Sequence, residues 1–289
     1  MKIKKAVFPV AGFGTRFLPA TKATPKEMLP IVDKPLIQYA VEEAAKIGVE
    51  EFIFITHHAK SSIDKHFKNN DDLHSMLMDQ GKQELANSIK DIGGANAKFI
   101  AVDQGEPKGL GHAIGCANDL IDDDEFFAVI LADDLIFCEG QNVLQQMTEQ
   151  LNEHNKQVLA LEKIPQKDIS KFGVVAPSSI DGRVAYLSGI VEKPPMDEAP
   201  SDLAVVGRYI FNKDIFSHID NENAGKNGEI QITDAILSNI DNFIGYEFIG
   251  DRYDCGSKIG YLKANIAYGL SNVELKEEIK SYLGEIKDL

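Results

Sequence analysis

Apolar residues follow two rhythms along the first half of the chain. Short, nearly unbroken runs at 6–12 (AVFPVAG), 50–56 (EEFIFIT), 97–103 (AKFIAVD) and 126–134 (FFAVILADD) predict strands buried on both faces. Between them, residues 35–48 place Ile37, Ala40, Val41, Ala44 and Ile47 on one face of a helix. Pro35 suits the first turn of that helix and Gly48 its stop. Residues 109–121 also read as helical. Strands alternating with helices predict an α/β fold: a mixed, mostly parallel central sheet flanked by helices.

The second half is less regular. Runs at 157–164, 172–178, 183–193 and 203–211 are strand-like and separated by Pro, Gly and Asp turns, which predicts further strands on the same sheet. Residues 229–240 pattern as a helix through Ile232, Ala235, Ile236 and Ile240, and 246–250 as a strand. A helix at 258–270 shows Ile259, Leu262, Ile266 and Leu270, followed by a charged terminal helix or arm at 273–289. The polar, acidic stretch 69–96 reads as a helical insertion at the rim. No repeat and no linker interrupts the pattern, so one domain over 1–289 is expected.

Composition narrows the function. The formal charge of −15 excludes the basic footprint that nucleic-acid binding needs. There is no apolar run of about 18 residues, so no membrane span is expected. The basic residues ahead of the first apolar run could be mistaken for a signal peptide, but the run is short and broken at Pro9. The three cysteines, Cys116, Cys138 and Cys255, lack C-x-x-C spacing and fit reduced, buried thiols in a cytoplasm. Nor do the seven histidines form a metal-ligand pattern with them.

Local chemistry concentrates in one segment, PVAGFGTRFLPATKATPKEMLP at 9–30. Glycines after a first parallel strand let bare backbone approach a phosphate or a base, and four prolines stiffen the segment. Arg16, Lys22 and Lys26 are opposed only by Glu27, a cationic cluster in an acidic protein. Two familiar phosphate loops fail to fit. Gly12 and Gly14 begin a G-x-G-x-x-G, but Phe17 stands at the third glycine and the chain beyond is proline-rich; no Walker A run occurs.

The pattern G-x-G-T-R with P-K ending ten residues after the arginine resembles the signature of sugar-1-phosphate nucleotidyltransferases. The resemblance continues through GLGHAIGCA, VVAPSS, VEKPP, APSDLAVVGRYIF, GEIQITDAI and RYDCGSKIGYLKANI, over roughly residues 3 to 270. The lysine-rich string after G-T-R is similar to the bacterial UTP–glucose-1-phosphate uridylyltransferase branch, with thymidylyl or guanylyl transferases as the alternative within the class. A non-catalytic sugar-nucleotide-binding paralogue is the alternative outside it.

That resemblance implies a Rossmann-like nucleotidyltransferase fold, with a nucleotide-binding half over about 1–135, a sugar-binding half over about 136–256 and terminal helices over about 257–289. It implies UTP and glucose 1-phosphate as substrates, UDP-glucose and pyrophosphate as products, Mg²⁺ as cofactor, and a homodimer or homotetramer. Arg16 and Lys26 would bracket the triphosphate. Asp133 would hold the metal, being the first of a carboxylate pair at a strand's carboxyl end, where ligands of parallel sheets sit. Asp134 would be a turn or cap residue. Asp254 would be either a second metal carboxylate or a structural turn residue, with Ser257 a possible helix cap. Ala11, Gly12, Gly14, Thr15, Glu27, Gln104 and Gly109 would form the nucleotide pocket. A glutamine amide both donates and accepts, as a pyrimidine edge requires, while Glu27 could instead pair with Lys26 or Arg16. Gly173, Glu192, Lys193 and Gly207 would take the sugar phosphate. His112 would pack or face solvent near the nucleotide helix.

Overall fold

The computed structural model describes residues 1–57, 61–220 and 228–286. Strand β1 (Lys5–Pro9) leads into the glycine–proline loop, which closes on a short hairpin of β2 (Pro30–Ile31) and β3 (Lys34–Pro35). Helix α1 (Leu36–Ala45), β4 (Glu51–Thr56), α2 (Ser61–Phe67), α3 (Asp71–Asp79), α4 (Gln83–Ser88), β5 (Lys98–Asp103), α5 (Leu110–Gly115), β6 (Phe126–Ile130) and β7 (Asp134–Phe137) come next. The second half adds α6 (Val143–His154), β8 (Gln157–Lys163), β9 (Gly173–Asp181), β10 (Val184–Glu192), β11 (Leu203–Asn212), α7 (Ile232–Ser238), β12 (Phe243–Glu247) and β13 (Asp251–Asp254), and ends in α8 (Lys258–Ser271) and α9 (Lys276–Ile286).

Among the described residues, nine strands form one sheet in the order β5-β4-β1-β6-β11-β8-β12-β10-β9. The β5-β4-β1-β6 half is parallel, so these strands end together on one edge. Beyond β6 the pairings are antiparallel except for parallel β8–β12. Two apolar layers cover the sheet. One packs Phe8, Phe52 and Phe54 with Val41 of α1 and Met147 of α6; the other packs Val7, Ile53 and Phe127 with Ile114 of α5 and Ile236 of α7. Strands with both faces covered are near-continuously apolar, which is why β1, β4 and β6 were legible.

The structure differs from the sequence reading at four places. The run 126–134 is two strands: Leu131 N–H makes the last bond beside β11, to Gly207 O (2.9 Å), and Asp134 N–H then closes a turn on Leu131 O (3.1 Å). The chain re-emerges as β7, antiparallel to β13 in a separate sheet. The 109–121 helix stops at Gly115, with a single 3-10 turn at Asn118–Leu120. The strand placed at 246–250 lies three residues earlier, where Phe243 pairs with Gln157 of β8. Helix α6 was missed, although Asn142 and Gln145 carry a capping-box signature that the structure closes in both directions at 2.8 and 2.9 Å.

Candidate active site

The loop after β1 is folded by one residue. Gly14 sits in the left-handed region at φ 63°, and its carbonyl accepts from Thr21 Oγ1 at 2.8 Å. A Cβ there would come within 3.0 Å of Lys26 Cβ, so the glycine lets the two limbs of the loop touch. Three 3-10 turns follow, at Thr15–Phe17, Ala20–Lys22 and Lys26–Met28, giving the segment more regular structure than its composition suggests. The hairpin below is tied to α8: Tyr261 Oη donates to Pro30 O at 2.5 Å, and Val32 N–H donates to Asn265 Oδ1 at 3.0 Å.

That geometry carries Lys26 over the carboxyl end of β6. Its Nζ lies 2.5 Å from Asp133 Oδ2, joining residues 107 apart in sequence. Burial alone would lower the Lys26 pKa, but the charges of Asp133 and Glu27 outweigh it and raise the pKa above the ordinary lysine value. The converse holds for Asp133: burial would raise its pKa, and Lys26 more than reverses that. Both groups are therefore charged at neutral pH.

Asp254 ends β13 directly beside β7, opposite Asp134 in the ladder. Gly256 shows how close the reactive groups come. A Cβ on it would lie 3.0 Å from Asp254 Oδ1, 3.1 Å from Asp133 Oδ2 and 3.6 Å from Arg16 Nη1. Two carboxylates and a guanidinium thus share the space that one methyl group would fill. Asp254 also has a structural part, since its Oδ1 accepts from Gly256 N–H at 2.9 Å. Ser257 caps α8 by accepting from Gly260 N–H at 3.1 Å.

Asp134 closes the turn after β6 with its N–H, as the sequence suggests, and its carboxylate does more. It is buried, accepts from Gly207 N–H at 2.9 Å and pairs with Arg252 at 2.6 Å. Arg252 in turn reaches Glu162 at 3.2 Å and lies 5.0 Å over the Phe172 ring. Burial would lower the Arg252 pKa, but Asp134 and Glu162 raise it. A second pair lies beneath: Arg208, 1% exposed, meets Glu43 of α1 at 2.8 Å and donates to Leu131 O and Gly207 O at 3.2 and 2.9 Å. Sequence reasoning missed Arg252, Arg208 and Glu43, and each lacks a local signal because its partner is remote.

A cleft of about 400 Å³ opens from Asp133 and Asp254 toward Gly173, Glu192, Lys193 and Gly207. Glu192 Oε2 accepts from Thr233 Oγ1 at 3.1 Å, while Lys193 Nζ lies 3.2 Å from Glu192 Oε1. Both glycines are required by the protein itself: a Cβ on Gly173 would meet Thr233 Cγ2 at 2.8 Å, and one on Gly207 would meet Asp134 Oδ2 at 2.8 Å. On the nucleotide side, Ala11 and Gly12 follow β1, and Glu27 is 1% exposed. Gln104 directly follows β5, and Gly109, at φ 108°, caps the start of α5. Thr15 opens the first 3-10 turn. All of the sequence-named residues therefore gather along one edge of the sheet or the cleft below it.

Among the described residues, no group of three or more His, Cys, Asp or Glu could hold a metal ion. His58 lies outside them. The donor set is the Asp133–Asp254 pair with Gly256 open between. Two carboxylates that leave the remaining ligands to phosphate oxygens and water fit Mg²⁺ better than a cage-seeking or nitrogen-seeking ion.

Cations on a glycine loop, facing paired carboxylates at the carboxyl edge of parallel strands, define a site for transfer between phosphate-bearing substrates. Comparison with known proteins narrows the class. Residues 5–269 match the nucleotidyl transferase family. The chain is 40% identical over 284 residues to a UTP–glucose-1-phosphate uridylyltransferase of Bacillus subtilis, covering 98% of this chain and 96% of that protein. It is 43% identical to one from Staphylococcus saprophyticus, covering 99% of each. A UTP-bound UDP-glucose pyrophosphorylase from Acinetobacter baumannii superposes with a TM-score of 0.89 at 41% identity, over 98% of this chain and 99% of that one. Another, complexed with UDP-glucose, gives 0.84 at 44% identity, over 93% of this chain and 100% of that one. This chain belongs to the nucleotidyl transferase family, with the α/β fold of those structures.

Proposed function

We propose that the chain transfers a uridylyl group from UTP to α-D-glucose 1-phosphate, giving UDP-glucose and pyrophosphate. The observation that carries the reading is the convergence of Arg16, Asp133 and Asp254 around Gly256, with Lys26 on Asp133, at the mouth of the Glu192–Lys193 cleft. The full-length similarity to uridylyltransferases supports the choice of nucleotide and sugar.

A phosphate oxygen of the sugar attacks the α-phosphorus of UTP. The bond from that phosphorus to the bridging oxygen breaks, and pyrophosphate leaves with the electron pair. No proton must move and no covalent enzyme intermediate forms, so the protein's task is alignment and charge neutralisation. Arg16 and Lys26 hold the phosphates being released. Lys26 reaches them by leaving Asp133, whose carboxylate together with Asp254 would hold Mg²⁺. Mg²⁺, when bound, neutralises phosphate charge and polarises the reacting phosphorus. Lys193 holds the sugar phosphate, Glu192 accepts from vicinal hydroxyls, and Gly173 and Gly207 admit the hexose. The backbone around Ala11, Gly12, Gly14, Thr15 and Gly109, with Glu27 and Gln104, encloses the uridine.

We further propose a cytoplasmic enzyme that works as a homodimer or homotetramer. Unpaired cysteines and exposed Ile259, Leu262 and Ile266 on α8 support this. No helix among the described residues is long and apolar enough to cross a membrane.

The test is pyrophosphate release with Mg²⁺ and glucose 1-phosphate, comparing UTP, dTTP, CTP, GTP and ATP. UTP should be strongly preferred. Asp133→Asn and Lys26→Ala should each lower kcat by about 10² to 10³. Near-normal turnover in either variant, with the fold intact, would remove that residue from the mechanism. Preference for dTTP would keep the mechanism and change the base assignment.

A further inference from the structure

Gln104 continues the β4–β5 ladder through its backbone, donating to Thr56 O at 2.9 Å, and its side chain turns toward α5. There its Nε2 lies 3.5 Å from Gly109 O and 3.1 Å from His112 Nδ1. A carbonyl can only accept, so the amide nitrogen has to be the atom that faces Gly109. The imidazole nitrogen beside the same NH₂ must then accept as well. His112 therefore carries its proton on Nε2, and Gln104 presents Oε1 away from α5.

Two further observations bear on that oxygen. Gln104 is 7% exposed, so its orientation is set by packing and not by solvent. Yet among the described residues the sealed side-chain atoms without a partner are Ser62 Oγ and Arg252 Nε, and Gln104 Oε1 is not one of them. Oε1 receives no hydrogen bond from these residues either, and is an open acceptor where β1, β4 and β5 end. The backbone that carries the imidazole is itself held. Gly111 N–H donates to Ile230 O at 2.8 Å, and a Cβ on Gly109 would fall 2.7 Å from the same carbonyl. The start of α5 is thus held against the segment leading into α7.

We propose that His112 is a positioning residue for base specificity: by accepting from Gln104 Nε2, it turns Oε1 into a fixed acceptor for a pyrimidine whose ring N3 bears hydrogen. Uracil and thymine carry that hydrogen, whereas cytosine offers a lone pair at N3. To receive cytosine, Gln104 would have to flip, setting its oxygen against Gly109 O and forcing the His112 proton from Nε2 to Nδ1. Leaving buried polar groups unpaired in this way costs about 1–3 kcal/mol, about 5- to 150-fold in affinity. Burial, with Lys108 adding to it, holds the His112 pKa below the ordinary histidine value and keeps the ring a neutral acceptor at pH 7. The inference rests on the uridylyl reading and deepens it, since it assigns a role to a residue that touches no substrate.

The experiment measures kcat/KM by pyrophosphate release with UTP, dTTP and CTP for the wild type, His112→Ala and His112→Asn. Ala removes the acceptor, whereas Asn puts Oδ1 near the place of Nδ1. The expected result is a UTP:CTP ratio that falls about tenfold or more in H112A, mainly through KM, and recovers in H112N. The UTP:dTTP ratio should stay where it is, because both bases carry the N3 hydrogen. An unmoved UTP:CTP ratio in H112A, an equal loss with all three nucleotides, or an H112N variant as unselective as H112A would overturn the proposal. A wild type that itself fails to prefer UTP over CTP would instead overturn the base assignment beneath it, so the two failures are distinguishable.

Discussion

Glu43→Ala should damage this protein more than any single loss from its surface. Arg208 is enclosed, and its guanidinium is satisfied on every side: Nε at 3.0 and 3.1 Å and Nη2 at 2.8 Å from the Glu43 carboxylate, with Nη1 on two carbonyls. Burial would lower the Arg208 pKa; Glu43 and Asp134 more than restore it. Removing the carboxylate leaves a charged group inside with only those carbonyls for partners, a cost of about 3–5 kcal/mol. Set against a total stability of about 5–15 kcal/mol, that is about a fifth of it or more. Equilibrium urea denaturation of the wild type, E43A, R208M and the double variant measures it. With a slope of about 2–3 kcal/mol/M, the E43A midpoint should fall by about 1–2.5 M. The double variant should be less unstable than the sum of the singles by about 2 kcal/mol or more, because R208M removes the stranded charge. Because Arg208 also holds Leu131 O and Gly207 O, E43A should lose specific activity well below its melting temperature. Additive losses, or an E43A midpoint indistinguishable from wild type, would refute the reasoning.

Gly256→Ala should lower kcat/KM about tenfold while barely moving the denaturation midpoint, since its methyl occupies the space between Asp133 and Asp254 and pushes each carboxylate aside; wild-type turnover would show that the two carboxylates do not act together. Arg252→Met should destabilise by about 3 kcal/mol in a thermal melt, by leaving the buried Asp134 carboxylate without its cation, and a smaller change than at an exposed lysine would contradict the pairing. Burial, aided by nearby carboxylates, pushes the Cys255 thiol up to about 12 and the Cys138 thiol up to about 11, and burial with Asp103 raises Cys116. Because the thiolate forms only as pH rises through those values, the folded protein should react slowly with a disulfide reagent at pH 8 and all three thiols quickly once unfolded; a fast-reacting thiol in the native state would contradict it.

Much of this was visible in the chain itself. Residues buried on both faces of a parallel sheet must be apolar one after another, so β1, β4 and β6 announced themselves, as did the 3.6-residue stripe of α1, whereas β5 is an edge strand without a buried residue. The opening loop was legible because glycine, proline and clustered cations are unusual together in an acidic protein. These signals depend on each residue's own surroundings, and composition and spacing record them. The site depends on pairs. Nothing local says that Lys26 meets Asp133, that Asp134 faces Arg252 across the β7–β13 ladder, or that Arg208 needs Glu43, 165 residues away. A buried charge is tolerable only beside a particular partner, and which partner arrives is settled by strand order and by the break at Leu131. The same holds for His112: the sequence supplies an imidazole, and only the carbonyl of Gly109 beside Gln104 decides which of its nitrogens carries the proton.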